Sequence, residues 1–190
     1  MLSPSEQQVA LDIAGRAVAE PLRAGARWVP DPRELTGELA QPGACFVTLR
    51  ARGALLGCIG TLVAYRLLGV DVASNAAAAA YDDPRLPPVT EADLSVMDVH
   101  VSVLGPLSPL GVTSRRDLAS RLRPMVDGLV VEAGGRRATF LPSVWEQLPD
   151  PDDFIDALWA KAGWQARDWP PGLQARTYEV QEFPQWGRDE

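Results

Sequence analysis

Gly57-Cys58-Ile59-Gly60 sets a thiol between two glycines, inside a run, "ALLGCIGTL", that otherwise reads as a strand. Glycine weakens a strand and marks a bulge or a close backbone approach. A cysteine held there has two readings. It is a small buried hydrophobe, the usual state of a free thiol, or a presented catalytic nucleophile, which needs a cation, a helix N-terminus or a base beside it. The packing reading comes first, with the glycines letting a neighbouring helix lie close to the strand.

Other groups could join such chemistry. His100, the single histidine, could serve Cys58 as a base. Alternation places His100 on a polar strand face with Asp98 and Ser102, however, and Cys58 on an apolar one. Asp98, His100 and Ser102 have the types of a triad, but neighbours on one strand face stand about 7 Å apart, so an ordinary polar face is expected. Arg85, in "DDPRLPP", can bind a carboxylate or phosphate, or anchor its loop through Asp82 or Asp83. Asn75 can hydrogen-bond a ligand or satisfy backbone at the hairpin. Two cysteines and one histidine are too few for a four-ligand zinc site. Gly134-Gly135 reads as a turn, since no helix follows it at phosphate-loop spacing. Neither metal nor cofactor is expected.

The elements that must position these residues follow from pattern. Residues 5–20 carry Val9, Ile13 and Ala17 at helical spacing behind Ser5 as cap, with Pro21 ending or kinking the helix. Residues 44–50 and 54–63 form a hairpin around Arg52-Gly53. With those two as its loop, position n faces 105−n. Cys58 then opposes Val47 and Cys45 opposes Gly60, with both thiols on one apolar face. Residues 69–81 are an alanine-rich helix containing Asn75. "TEADL" is a capped turn, and 96–104 alternate as a half-buried strand. A short helix follows over 115–122, then a hairpin over 128–142. A helix over 149–164 is capped by Asp150 or Asp152 and closed by Gly163. "ARTYEVQEF" (175–183) alternates as one last strand. Hairpins interrupted by helices give an α+β class, antiparallel sheets with flanking helices.

The bulk numbers exclude several classes. At 190 residues and 46% apolar composition the chain can bury a core. No apolar run reaches the roughly 18 residues a membrane span needs, and the N-terminus lacks a signal-peptide pattern. A net charge of −7 and a single lysine, Lys161, speak against nucleic-acid binding. Two cysteines are no secreted disulfide framework. A reducing, bacterial cytoplasm is expected, with both thiols free.

Taken in order, "GACFVTLRARGALLGCIGTL", "NAAAAAYDDPRLPPVT", "VSVLGPLSPL", "DGLVVEAGGRRATFLPSVWEQLPDPDDFIDALWAKAGW" and "YEVQEF" resemble the AMMECR family, the A component of the AmmeMemoRadiSam system. The likeness runs over residues 5–183. It implies a single domain over 1–190 with a larger and a smaller lobe, and an association with Memo-type and radical-SAM proteins. The family's Leu-Arg-Gly-Cys-Ile-Gly signature reads here from Leu55 to Gly60. Leu56 replaces its arginine, and His100 stands where the family usually has an acid. The function expected first is a small-ligand or partner-binding component of a protein or metabolite modification pathway. Its groove is built from 55–61 (with Gly57, Gly60 and Thr61), Asn75 and 82–88 (with Arg85). A cysteine enzyme using Cys58, or an adaptor without catalysis, are the alternatives.

Overall fold

A computed structural model describes residues 1–184. They form two compact units, one of residues 1–104 resuming at Gln181, the other of 105–180. The first holds α1 (Pro4–Ala24), β1 (Pro42–Gly43), β2 (Cys45–Ala51), β3 (Ala54–Gly60), β4 (Arg66–Leu67), α2 (Leu68–Tyr81), α3 (Glu91–Leu94) and β5 (Met97–Leu104). The second holds β6 (Ser108–Leu110), α4 (Arg115–Arg121), β7 (Gly128–Ala133), β8 (Arg136–Phe140), α5 (Pro151–Ala162) and β9 (Gln174–Tyr178). β10 (Val180–Pro184) then lies beside β5. The sheets run β10-β5-β2-β3 and β6-β9-β7-β8, with β1 paired to β4. The class is α+β, as the pattern of hairpins and helices requires.

Two helix ends differ from expectation. The cap of α1 is Ser3, whose hydroxyl accepts from the Glu6 N–H while the Glu6 carboxylate accepts from the Ser3 N–H at 2.8 Å. This reciprocal box satisfies two donors that the first turn would otherwise orphan. Pro21 does not stop the helix. So near the end it removes a single ladder bond, and the left-handed Gly25 (φ 70°) closes the helix by donating its N–H to the Pro21 carbonyl. The buried stripe is Ala10, Leu11, Ile13, Ala14, Ala17 and Val18. Val9 falls off its edge and is exposed.

The β2–β3 hairpin turns on Arg52 (φ 50°) and Gly53 (φ 83°), both left-handed as a two-residue primed turn demands. Ala51↔Ala54 and Arg50↔Leu55 follow the expected register, but Leu49 pairs with Gly57. Leu56 is therefore one extra residue, a β-bulge, with its side chain packed on the core. Beyond it the pairs become Thr48↔Cys58 and Phe46↔Gly60. A slip of one residue moves a side chain to the other face. Cys45, Val47 and Leu49 face the core, each fully buried. Cys58 lies on the opposite face beside Thr48, half-buried. The expectation that both thiols share the apolar face is thus corrected, and the bulge is the cause.

The two glycines do different work. A Cβ on Gly57 would stand 1.8 Å from the Ala79 carbonyl oxygen, so α2 rests its backbone directly on β3 there. A Cβ on Gly60 would strike the Phe46 ring at 2.2 Å. Gly60 makes room for an aromatic side chain rather than for the helix.

In the second unit Trp145 stacks on Phe154 at 3.7 Å, both fully buried. The Asp150 side chain caps α5 and Gly163 (φ 75°) ends it. The last alternating run is two strands rather than one. It breaks at Glu179, because β9 pairs with β7 whereas β10 joins β5. Alternation reports burial and cannot report a change of partner.

Gly57→Ala is expected to destabilise by about 1–3 kcal/mol through overpacking. Gly111→Ala, with open space around its Cα, should stay within about 0.5 kcal/mol of wild type. Urea denaturation of the two variants checks the contrast.

Candidate functional site

Asp71 lies in the first turn of α2 with none of its surface exposed. A carboxylate so placed must be paired and hydrogen-bonded or it would not stay there. Its Oδ2 accepts from the Cys45 N–H at 3.0 Å, the Thr61 hydroxyl at 2.6 Å, the Asn75 amide at 3.0 Å and the Cys45 thiol at 3.3 Å. Its Oδ1 accepts from Arg66 Nε at 2.7 Å. Asn75, one turn along, also donates to the Cys45 carbonyl at 3.0 Å and accepts from Arg66 Nη2 at 3.3 Å. The Asn75 side chain is buried and engaged at both ends, the backbone-satisfying role of the two proposed from sequence. Burial first, then the Asp71 carboxylate, push the Cys45 thiol well above its ordinary range. Cys45 stays protonated and donates.

The second set stands at the sheet's edge. Cys58 turns its backbone outward from β3. Its N–H donates to Asp83 Oδ2 at 3.0 Å and its carbonyl accepts from Arg85 Nη2 at 3.0 Å. The thiol accepts from the Thr48 hydroxyl at 3.3 Å. Arg85 grips Asp83 with two nitrogens, Nε at 2.8 Å and Nη2 at 2.6 Å. Such a fork is among the stronger hydrogen-bonded pairs. The Arg85 hydrogen bonds, then the Cys58 N–H, hold the Asp83 carboxyl well below the usual carboxylate range. The Asp83 side chain is 2% exposed and that of Arg85 60%. Arg85 therefore does anchor its loop, through Asp83, while Asp82 pairs with Arg27 at 2.5 Å.

Thr48 is flanked by Cys58 on β3 and by His100 on β5. Cys58, Thr48 and His100 thus form one row across three strands, on the same face. This corrects the sequence reading, which set Cys58 and His100 on different faces. The His100 imidazole makes no hydrogen bond among the described residues.

The groove expected from 55–61, 75 and 82–88 is in fact two sets of contacts. Thr61 and Asn75 meet at Asp71 on the core side, while Cys58 and Arg85 meet at the edge. Gly57 lies beneath α2 and Gly60 beneath Phe46. Asp83, one of the two anchors expected for Arg85, completes the edge set together with Thr48, and Asp71 and Arg66 complete the other; Asp71, Arg66 and Thr48 were not singled out beforehand. One signal was available for Asp71: it stands four residues before Asn75, on the same face of a helix whose only other small polar residue is Ser74. Among the described residues no group of three or more His, Cys, Asp or Glu could hold a metal ion.

Asp71→Ala would remove the acceptor of the buried Cys45 N–H, of the half-buried Thr61 hydroxyl and of one of the two Asn75 amide hydrogens. At about 1–3 kcal/mol for each unsatisfied group, a loss of at least about 3 kcal/mol is expected in urea denaturation. The Asp83–Arg85 pair makes a pH prediction. A carboxyl depressed in the folded state adds stability that is full above its unfolded value of about 4 and is lost as pH falls through the folded value. Arg85→Gln should therefore cost stability at pH 6, and its difference from wild type should shrink steadily towards pH 2.

The family model described as AMMECR1 matches residues 11–183. A protein of Methanothermobacter thermautotrophicus is 39% identical over 163 residues, covering 85% of this chain and 84% of its own. One of Thermotoga maritima is 33% identical over 173 residues, covering 88% and 92%. The crystal structure of an uncharacterized protein from Pyrococcus horikoshii superposes with a TM-score of 0.89 at 26% identity, covering 100% of this chain and 96% of that one. The relatives are largely archaeal and give no support to the expected bacterial source.

Proposed function

This chain belongs to the AMMECR1 family, and from that premise we propose that it is a binding component of a protein or metabolite modification pathway. The ligand, a small molecule or short partner segment, rests on the shelf formed by Cys58 and Arg85. One observation carries the reading. Every polar atom of a half-exposed cysteine is tied: the N–H by Asp83, the carbonyl by Arg85, the thiol by Thr48. A surface fixed before its ligand arrives loses little freedom on binding. Arg85, largely exposed, offers the remaining guanidinium edge to a carboxylate or carbonyl. Gly57, Gly60, Thr61 and Asn75 serve as positioning residues that set the strand and the turn after it.

Memo-type and radical-SAM proteins are the partners that family association suggests. Nucleic acid is disfavoured by the net charge of −7. Among the described residues no helix is long and apolar enough to cross a membrane, and a cytoplasmic place is part of the same proposal. Native mass spectrometry of protein purified without denaturation tests it. A retained mass that is lost in Arg85→Gln and in Cys58→Ser supports the shelf. A retained mass that survives both substitutions places the ligand elsewhere.

A cysteine-dependent enzyme is the second reading. The Thr48 hydroxyl donates to the thiol and Arg85 donates to the carbonyl of the same residue, so a polar and a cationic group stand at Cys58, the kind of neighbours a catalytic cysteine needs. The binding reading expects iodoacetamide to label Cys58 no faster than free cysteine, in wild type and in Leu56→Arg alike, with Cys45 untouched until unfolding. Rapid labelling of wild-type Cys58 at pH 6 would put the enzyme in its place.

A further inference from the structure

The second unit carries a cavity of about 450 Å³, within the usual range for a small-molecule site. It is lined by Trp164, Trp169, Pro170, Pro171, Arg136 and Asp168, together with the β7–β8 turn. Its walls are held in place from behind. Trp159 is fully buried, and its indole N–H donates to the Asp168 carbonyl at 2.7 Å. The Trp164 N–H donates to the Trp159 carbonyl at 2.9 Å, just past the left-handed Gly163. Arg136 donates to the Gly163 carbonyl, one of the acceptors that a helix C-terminus leaves open. Arg167 (φ 71°) turns the chain back towards Trp169.

Three polar groups at this cavity remain unused. Neither the Trp164 indole N–H, nor that of Trp169, nor the Asp168 carboxylate has a partner among the described residues. Both indoles are half-buried. Trp159 lies at 69° to Trp164 and at 28° to Trp169. The difference, 41°, is the least tilt that the Trp164 and Trp169 planes can have to one another. They form an open corner and cannot clamp a flat ring on both faces.

Elimination narrows the ligand. Asp168 and Arg136 are exposed at the cavity's rim, and an apolar molecule covering them would strip their water without pairing either. An ammonium group meets the Arg136 guanidinium, and an anion meets Asp168. Those two charges sum to zero, which suits a molecule without net charge; a small zwitterion would pair both but leave the tryptophan faces uncovered, whereas a neutral molecule can answer the charges and the faces together. It must give donors to a carboxylate and acceptors to indole and guanidinium N–H groups, and lay a carbon-bound face on tryptophan. Ring hydroxyls above a non-planar C–H face meet every requirement. We propose that this cavity is a saccharide-binding site, with Trp169 as the stacking wall and Asp168 as the hydroxyl acceptor.

The test uses the full chain and three probes: methyl β-D-glucopyranoside, methyl α-D-mannopyranoside and N-acetylglucosamine. Tetramethylammonium, inorganic phosphate and adenosine serve as contrasts. Tryptophan fluorescence and saturation-transfer NMR follow binding. At least one saccharide should saturate, and Trp169→Ala and Asp168→Asn should each weaken it by about tenfold or more, a change of about 1.4 kcal/mol. Asp168→Asn keeps the side chain's size, so its effect stands even if Trp169→Ala perturbs folding. The proposal is overturned if no saccharide saturates, if a contrast probe binds more tightly, or if Asp168→Asn binds as wild type does.

Discussion

One buried carboxylate organises the first unit. Asp71 draws the start of β2, the turn after β3, the short strand β4 and the first turns of α2 onto two oxygen atoms. No apolar contact could do this, because hydrophobic burial has no direction. A carboxylate without water must be satisfied by specific donors in specific places. Cys45, Thr61, Arg66 and Asn75 supply them, and supplying them fixes where the hairpin sits on the helix. The cost of stripping water from Asp71 is offset only while the whole set is assembled.

Asp83, just beyond the other end of α2, completes the arrangement. It is bound by Arg85 and in turn binds the main chain of Cys58. Between the two acids lies Gly57, where the Ala79 carbonyl touches the strand. The β2–β3 hairpin and the turn after it are thus fastened to α2 and its exit at three places by three kinds of contact: a buried charge, a bare backbone approach and an ion pair at the rim. The alanines of α2 are the condition for the middle one, since bulkier side chains would hold the helix away.

Most of this scaffold was legible in the sequence. Arg52-Gly53 and Gly134-Gly135 are turn pairs whose chemistry admits few alternatives, and both turns fall where they were expected. Helix α5 announces itself through Asp150 and Gly163. The bulge at Leu56 was only half legible: Gly57 marks a bulge or a close approach and here accompanies both, but leucine suits a regular strand as well as an irregular one, so the slipped register could not be read. That single residue decided which face carries Cys58, so the thiol's surroundings were misjudged while its strand was not. Asp71 escaped notice for a related reason. An acid early in a helix is ordinary, and only its burial against distant donors makes it central. Glu179, where one alternating run changes sheets, shows the same limit: pattern records what is inside and is silent on which neighbour is beside it.

The contact of Asp83 and Arg85 with the Cys58 main chain also bears on how copies of this protein behave towards one another. β3 is the last strand of its sheet, and a bare last strand offers its outward N–H and carbonyl groups as a template for another chain. Here the outward pair at Cys58 is already taken by side chains, and the bulge at Leu56 bends the strand just before it. An incoming strand would have to displace a bidentate ion pair to find its first hydrogen bonds. The clamp therefore makes β3 a poor seed for sheet-to-sheet aggregation, and ties colloidal behaviour to two residues outside the strand itself.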